Sequence, residues 1–205
     1  MSQGKLIIVT APSGAGKTTL VSAVVENDDK ICVSVSHTTR DKRPNETDGV
    51  NYHFVDEATF LDMLQNGDFL ESAEVYGARY GTSQHWVNEK LAEGINVILE
   101  IDWQGAAQIR NLYPECCYIF ILPPSLETLT KRLKDRAQDD EATIADRMAE
   151  ARSVIEHVCE ADFVVVNDNF DRALEDIRAI IRSEGLKTVV QQTNLSQLLG
   201  SLTRG

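Results

Sequence analysis

The residues whose types and spacing most clearly imply chemistry are Ala11, Pro12, Ser13, Gly14, Ala15, Gly16, Lys17, Thr18 and Thr19. In a glycine-rich turn of this kind successive backbone N–H groups point into one concavity, and a helix beginning near Lys17 adds the positive end of its dipole. Lys17 can reach the outer phosphates of a nucleotide and Thr18 can ligate Mg²⁺. The usual spacing is G-x-x-x-x-G-K-[ST]; Ala11 stands where the first glycine is expected, while Gly14, Gly16, Lys17 and Thr18 keep the rest. The loop follows an apolar β-branched run, Lys5 to Thr10, and precedes an amphipathic stretch, Lys17 to Glu26. That order, strand then turn then helix, predicts a site for a nucleoside triphosphate with Mg²⁺.

Two further segments carry concentrated positive charge. Ser36-His37-Thr38-Thr39-Arg40-Asp41-Lys42-Arg43 offers planar guanidinium donors and neutral hydroxyls, a combination suited to phosphate. Lys131, Arg132, Lys134 and Arg136 form the other, with Arg132 and Arg136 four apart on one helix face and Arg147 beyond the charged turn AQDDEAT. The chain as a whole has a net charge of −12. An acidic total excludes a broad nucleic-acid surface, which rests on general attraction to phosphates. Basic islands in such a chain suggest compact anions bound in one cleft; taken by charge alone they also read as solvated faces.

The elements that must position these groups alternate. Apolar runs at Cys32 to Ser36, Asn96 to Ile101, Tyr118 to Leu122 and Phe163 to Val166 predict strands, the last three nearly continuous, as in parallel strands covered on both faces. Helical patterns cover Gln84 to Glu93 behind the possible N-cap Ser83, Trp103 to Leu112, Ser125 to Asp135, Glu141 to Cys159 and Phe170 to Glu184. This is an α/β pattern with a central, mostly parallel sheet. Residues 37–83 break the rhythm and predict an inserted, partly antiparallel subdomain around a helix at Glu57 to Gln65, with strand-like pieces at His53 to Val55 and Phe69 to Val75. Residues 125–157 predict a helical arm, leaving a core of about 1–36, 84–124 and 158–184, and a polar tail, 185–205, that reads as peripheral. One domain of 205 residues results. No run approaches the roughly 18 apolar residues of a membrane span, and the N-terminal apolar run is too short for a signal sequence, so a cytoplasmic location with no membrane partner is expected. Cys32, Cys116, Cys117 and Cys159 lack metal or disulfide spacing and read as reduced packing residues. The four histidines are scattered, and Trp103 reads as core.

The motifs SxTTRxxR from Ser36, GxxYxF from Gly49, YGTS from Tyr80, IDxQG from Ile101 and VND from Val166 stand in order between about Lys5 and about Ile181. In this the chain resembles the guanylate kinase family of P-loop nucleoside monophosphate kinases. The resemblance implies a three-layer P-loop fold with an inserted mixed α+β acceptor subdomain and a helical lid. It implies transfer of the γ-phosphate of ATP to GMP, giving ADP and GDP, in purine nucleotide metabolism and GMP recycling, with Mg²⁺. Ser36, Arg40, Arg43, Tyr52 and Tyr80 match the positions that hold the acceptor phosphate; Glu71 and Thr82, with Ser36, match those that read guanine. Guanine presents N1–H and N2–H₂ side by side, which a carboxylate accepts, while Thr82 can donate to O6; adenine presents an acceptor there and is repelled. Lys17, Arg40, Arg132, Arg136 and Arg147 match the charge-neutralising catalytic positions, Asn167 the region beside the donor adenine. Glu100-Ile101-Asp102 stands where Asp-Ile-Asp is common; both carboxylates fit the acceptor edge, and Glu100 with Thr18 the metal. A kinase of another small phosphate ester would lack the Glu71 and Thr82 pair, and a non-catalytic interaction module would have an eroded phosphate loop. A homo-oligomer is left open.

Overall fold

A computed structural model describes residues 3–26, 28–135 and 141–204. At its centre β1 (Leu6–Thr10) is buried along its whole length, because its side chains alternate between two apolar layers. Ile7 and Val9 face one layer, with Leu20, Val21 and Val24 of α1 (Lys17–Val25) and Ala173 and Ile177 of α7 (Phe170–Gly185). Leu6 and Ile8 face the other, with Val87 and Leu91 of α3 (Gln84–Ala92) and Ala106 and Ile109 of α4 (Trp103–Leu112). The sheet between the layers is wholly parallel, in the order β2 (Ile31–Val33), β7 (Asn96–Glu100), β1, β8 (Cys117–Leu122) and β9 (Phe163–Val166). This is the expected α/β fold in three layers. The chain reverses direction across the sheet between β1 and its neighbours, and such an arrangement opens its crevice beyond the strands' C-terminal ends.

Residues 37–83 hold a second sheet, in the order β4 (His53–Phe54), β3 (His37–Thr38), β6 (Ala78–Ser83) and β5 (Phe69–Val75). β3 pairs parallel with β4 and antiparallel with β6, and β5 pairs antiparallel with β6. Helix α2 (Glu57–Gln65) starts at Asp56, whose side chain accepts the Thr59 N–H at 2.7 Å. The arm consists of α5 (Leu126–Asp135) and α6 (Glu141–Glu156), joined through residues that lie outside those described. It carries a small core of its own from Leu129, Leu133, Ile144 and Ala151.

The structure differs from the sequence expectation at several places. The run from Cys32 to Ser36 does not continue as one strand: β2 ends at Val33, and the chain crosses through buried Ser34 and Ser36 into β3 of the second sheet. β9 is not covered on both faces, because it forms the sheet edge, and Val164 and Val166 each remain 50% exposed. The tail, in keeping with a peripheral helical reading, forms α8 (Thr188–Asn194) and α9 (Ser196–Thr203). The helix expected from Glu141 to Cys159 ends at Glu156 and tightens into a 3₁₀ turn, His157–Glu160. Trp103 is half-buried rather than core: its ring stacks on His157 at 3.8 Å between centroids.

Candidate active site

The phosphate loop connects β1 to α1 at the C-terminal edge of the sheet. Gly14 and Gly16 take φ values of 90° and 92°, which other residues adopt only with strain, so that the loop's N–H groups turn inward. The space above both is filled. A side chain on Gly14 would meet Leu133 and Leu129 of α5, and one on Gly16 would collide with the Asn167 amide. Asn167 is buried and donates from Nδ2 to the Ala15 carbonyl at 2.7 Å. Arg132 donates to the carbonyls of Asn167 at 2.9 Å and Ala15 at 3.4 Å. The structure thus sets these two residues against the loop backbone itself. Arg136 lies outside the described residues.

Lys17 donates from Nζ to the carbonyl of Ile101 at 3.2 Å, at the end of β7. Burial lowers its pKa, opposed by the neighbouring charges of Glu100, Asp102 and Glu71. Thr18 Oγ1 donates to Glu100 Oε2 at 2.8 Å, which places two hard oxygen donors together beside the loop. Asp102 caps α4, accepting the Gly105 N–H at 2.9 Å, while Gln104 donates to its other oxygen at 3.0 Å. Among the described residues no group of three or more His, Cys, Asp or Glu could hold a metal ion.

The acceptor side is built on the second sheet. Glu71, on β5, is only 4% exposed and accepts the Thr82 hydroxyl from β6 at 2.6 Å. Burial drives its pKa up to about 7; the Thr82 bond and Lys17 oppose that rise, while the negative charge of Asp102 adds to it. Glu71 Oε2 lies 2.5 Å from where a Cβ on Gly105 would stand, so the glycine of IDxQG is what allows α4 to pass this carboxylate. Tyr52 and Tyr80 pack edge to face at 5.8 Å, and the Arg40 guanidinium lies 5.5 Å from the Tyr52 ring centre. Burial raises the Tyr52 hydroxyl to about 12, with Tyr80 and Glu100 adding to the shift. Ser36 is buried beside them, its carbonyl accepting the His53 N–H at 2.9 Å.

Glu46 is the site residue that the sequence did not signal. Its Oε1 accepts from Arg40 Nη2 at 2.7 Å, and its Oε2 accepts the Arg43 N–H at 2.9 Å. Burial pushes its carboxyl up, but these two donors outweigh burial and hold it below its ordinary value. One carboxylate therefore joins both arginines of SxTTRxxR. The Arg147 guanidinium lies 5.7 Å from the ring centre of Tyr76, in the turn between β5 and β6. The arm therefore touches the second sheet through α6 and the phosphate loop through α5. Of the basic islands, Lys17, Arg40 and Arg132 border this edge; Lys5 instead pairs with Glu184 at 3.1 Å.

A parallel three-layer sheet with a glycine-rich loop at its C-terminal edge, faced by an inserted sheet and a helical arm, defines a P-loop nucleoside monophosphate kinase. A sequence model of guanylate kinase matches residues 3–184, and the chain belongs to the guanylate kinase family. It is 60% identical over 185 residues to the guanylate kinase of Methylobacillus flagellatus, covering 90% of this chain and 92% of that protein. The identity to the guanylate kinase of Hahella chejuensis is 54% over 204 residues, with 99% of this chain and 98% of that one covered. Among solved structures, the guanylate kinase of Anaplasma phagocytophilum superposes with a TM-score of 0.80 at 34% identity, covering 95% of this chain and 94% of the other.

Proposed function

We propose that this chain transfers the γ-phosphate of ATP to GMP, giving ADP and GDP, and that the residues gathered at the sheet edge do so in the roles that follow. The observation that carries the reading is the buried Glu71–Thr82 pair, whose 2.6 Å bond fixes a carboxylate and a hydroxyl side by side 11 residues apart in sequence. A carboxylate buried at this cost is explained by a partner with paired N–H donors, and guanine N1–H and N2–H₂ supply them.

The acceptor phosphate falls to Arg40 and Arg43, pre-set by Glu46, with Ser36 and the hydroxyls of Tyr52 and Tyr80 as neutral donors. Tyr52, raised to about 12, stays protonated and able to donate throughout the physiological range. The donor phosphates lie in the loop from Ala11 to Thr19, where inward N–H groups and Lys17 neutralise them; binding would draw Lys17 from the Ile101 carbonyl. The attacking oxygen of GMP is already anionic, so the chain needs no general base. Its contribution is to hold two repelling anions in line and to neutralise developing charge with Lys17, Arg40 and the arm's arginines. Arg132 meets the loop through backbone carbonyls, so it joins arm position to loop geometry; Arg147 and Arg136 complete the arm's charge. Asn167, bound to Ala15, supports the loop beneath the donor nucleotide.

Thr18 and Glu100 fit Mg²⁺, because their adjacent hard oxygens leave most of its shell to water and phosphate, the coordination this ion prefers. When bound, Mg²⁺ supplies charge neutralisation on the donor phosphates. Asp102 holds the α4 N-terminus and adds negative charge beside Glu71. Small phosphorylated molecules rather than nucleic acid are the partners. The cysteines of the described chain are unpaired, and none of its described helices is long and apolar enough to cross a membrane; a cytoplasmic site of action accords with the unpaired thiols.

The test is formation of ADP and GDP in equal amounts from ATP, GMP and Mg²⁺, compared with Lys17→Ala. The variant is expected to lose at least about 10³ in kcat/KM with its melting temperature kept. Turnover within tenfold of the wild type overturns the assignment.

A further inference from the structure

The turn between β5 and β6 is two residues long, Tyr76 and Gly77, closed by the Val75–Ala78 pair. Both take positive φ, 53° and 71°, as the tight hairpin turn that matches strand twist requires. Asn, Asp or Gly normally fills its first position, because a bulky side chain is strained there. Tyr76 is the one non-glycine residue at positive φ among those described. Core packing does not explain it. The ring is 54% exposed and lies outside the apolar clusters, and a Cβ on Gly77 would meet nothing within 4 Å. A conformation held against its own preference marks a position where the side chain is needed.

What the ring meets is the arm. The Arg147 guanidinium stands 5.7 Å from its centre, within cation–π range. Arg147 is followed by Met148, which packs on the arm's own core of Leu129, Leu133, Ile144 and Ala151. That core joins α6 to α5, whose Arg132 donates to the Ala15 carbonyl of the phosphate loop. On the other side, the strands leaving the turn pair Ala73 with Tyr80 and Glu71 with Thr82. Glu71 stands five positions before Tyr76, about 17 Å along an extended strand. One ring thereby connects the strands that meet the acceptor to the arm that touches the donor loop.

We propose that Tyr76 is a positioning residue whose ring seats Arg147, so that arm and acceptor sheet close on the two nucleotides together, a role that rests on the ATP-to-GMP transfer proposed above. A ring attracts the charge without taking up an N–H donor, unlike a carboxylate, so the seat itself does not compete with phosphate for Arg147.

Single-turnover phosphate transfer at saturating ATP, GMP and Mg²⁺ reads the outcome, with the melting temperature beside it. Tyr76→Asn keeps the turn, since Asn tolerates positive φ, and removes the ring. It is expected to slow transfer about two- to fivefold, the worth of an exposed cation–π contact, with KM for both nucleotides within about twofold and Tm unchanged or raised. Tyr76→Phe, which retains the ring, should keep the wild-type rate. In an Arg147→Ala background, Tyr76→Asn should change the rate by less than about 1.5-fold, because the guanidinium it seats is gone. An unchanged rate in Tyr76→Asn overturns the proposal, as does a Tyr76→Phe variant equally slow, an equal loss in the Arg147→Ala background, or a rate that falls only with Tm. A wild type that forms no GDP overturns the proposed function as well, which tells the two failures apart.

Discussion

Burial keeps the Glu71 carboxyl near pKa 7 in the ligand-free protein, so at neutral pH only about half of the molecules carry the ionised form that guanine requires. In the unfolded chain the same group has a pKa of about 4.3. Because the folded value is the higher one, its contribution to stability is fully present below about pH 4.3 and is lost as pH rises through 7. The total amounts to about 4 kcal/mol, set by desolvation of the carboxylate. GMP acts in the opposite direction, since its N–H donors favour the ionised form and pull the pKa down. Binding below pH 7 must therefore expel a proton. Taking pKa 7, the ionised fraction is about 0.9 at pH 8 and about 0.1 at pH 6, a tenfold loss of GMP affinity, or about 1.4 kcal/mol. The phosphate of GMP titrates near pH 6 and adds its own slope. Glu71→Gln shares that slope and lacks the carboxyl, so the difference between the two proteins isolates Glu71. Calorimetric titration with GMP at pH 6, 7 and 8, in buffers of different ionisation enthalpy, should show the extra tenfold and release of about 0.9 proton at pH 6 for the wild type only. Parallel slopes for wild type and Glu71→Gln would refute the reasoning, because the buried carboxyl would then not be what guanine meets.

Glu46→Gln should raise KM for GMP about tenfold and change kcat less than threefold, because it removes a charge-assisted bond to Arg40 worth about 1.5–3 kcal/mol while leaving the guanidinium in place; steady-state kinetics separates the two parameters. Gly105→Ala adds a methyl 2.5 Å from Glu71 Oε2 and should weaken GMP binding at least about tenfold with ATP affinity unchanged, measured by fluorescence titration of each nucleotide. Asn167→Ala leaves the Ala15 carbonyl without its 2.7 Å donor; about 1–3 kcal/mol of stability should be lost, lowering Tm by about 2–4 °C per kcal/mol in calorimetry, with KM for ATP raised more than KM for GMP.

The phosphate loop and α3 were legible because their signals are local: a glycine-rich turn between a β-branched run and a helix, and Ser83 as an N-cap three residues before the N–H it accepts. Six of the seven helices read from the sequence end within one residue of their observed bounds or match them. The strand expected through Ser36 failed because apolar–serine alternation continues past Val33 although the backbone leaves the sheet there. β6 was not read as a strand: Ala78–Ser83 has no apolar run, and its adjacent residues Gly81 and Thr82 are both buried. Site contacts with long sequence separation left no local trace. Asn167 meets Ala15 across 152 residues and Arg132 across 117, and Glu46 sits in a polar loop that reads as a solvated turn. The seat of Arg147 on Tyr76 depends on how arm and second sheet meet, which no spacing in either segment encodes.

The central claim, that the Glu71–Thr82 pair selects guanine as the phosphate acceptor, is tested most directly by comparing kcat/KM for GMP, AMP, UMP and CMP with ATP and Mg²⁺ held constant. Guanine-reading by buried hydrogen-bonding groups predicts a preference for GMP over AMP of about 10⁴ or more, falling at least a hundredfold in Glu71→Ala. Comparable turnover of GMP and AMP by the wild type would contradict it.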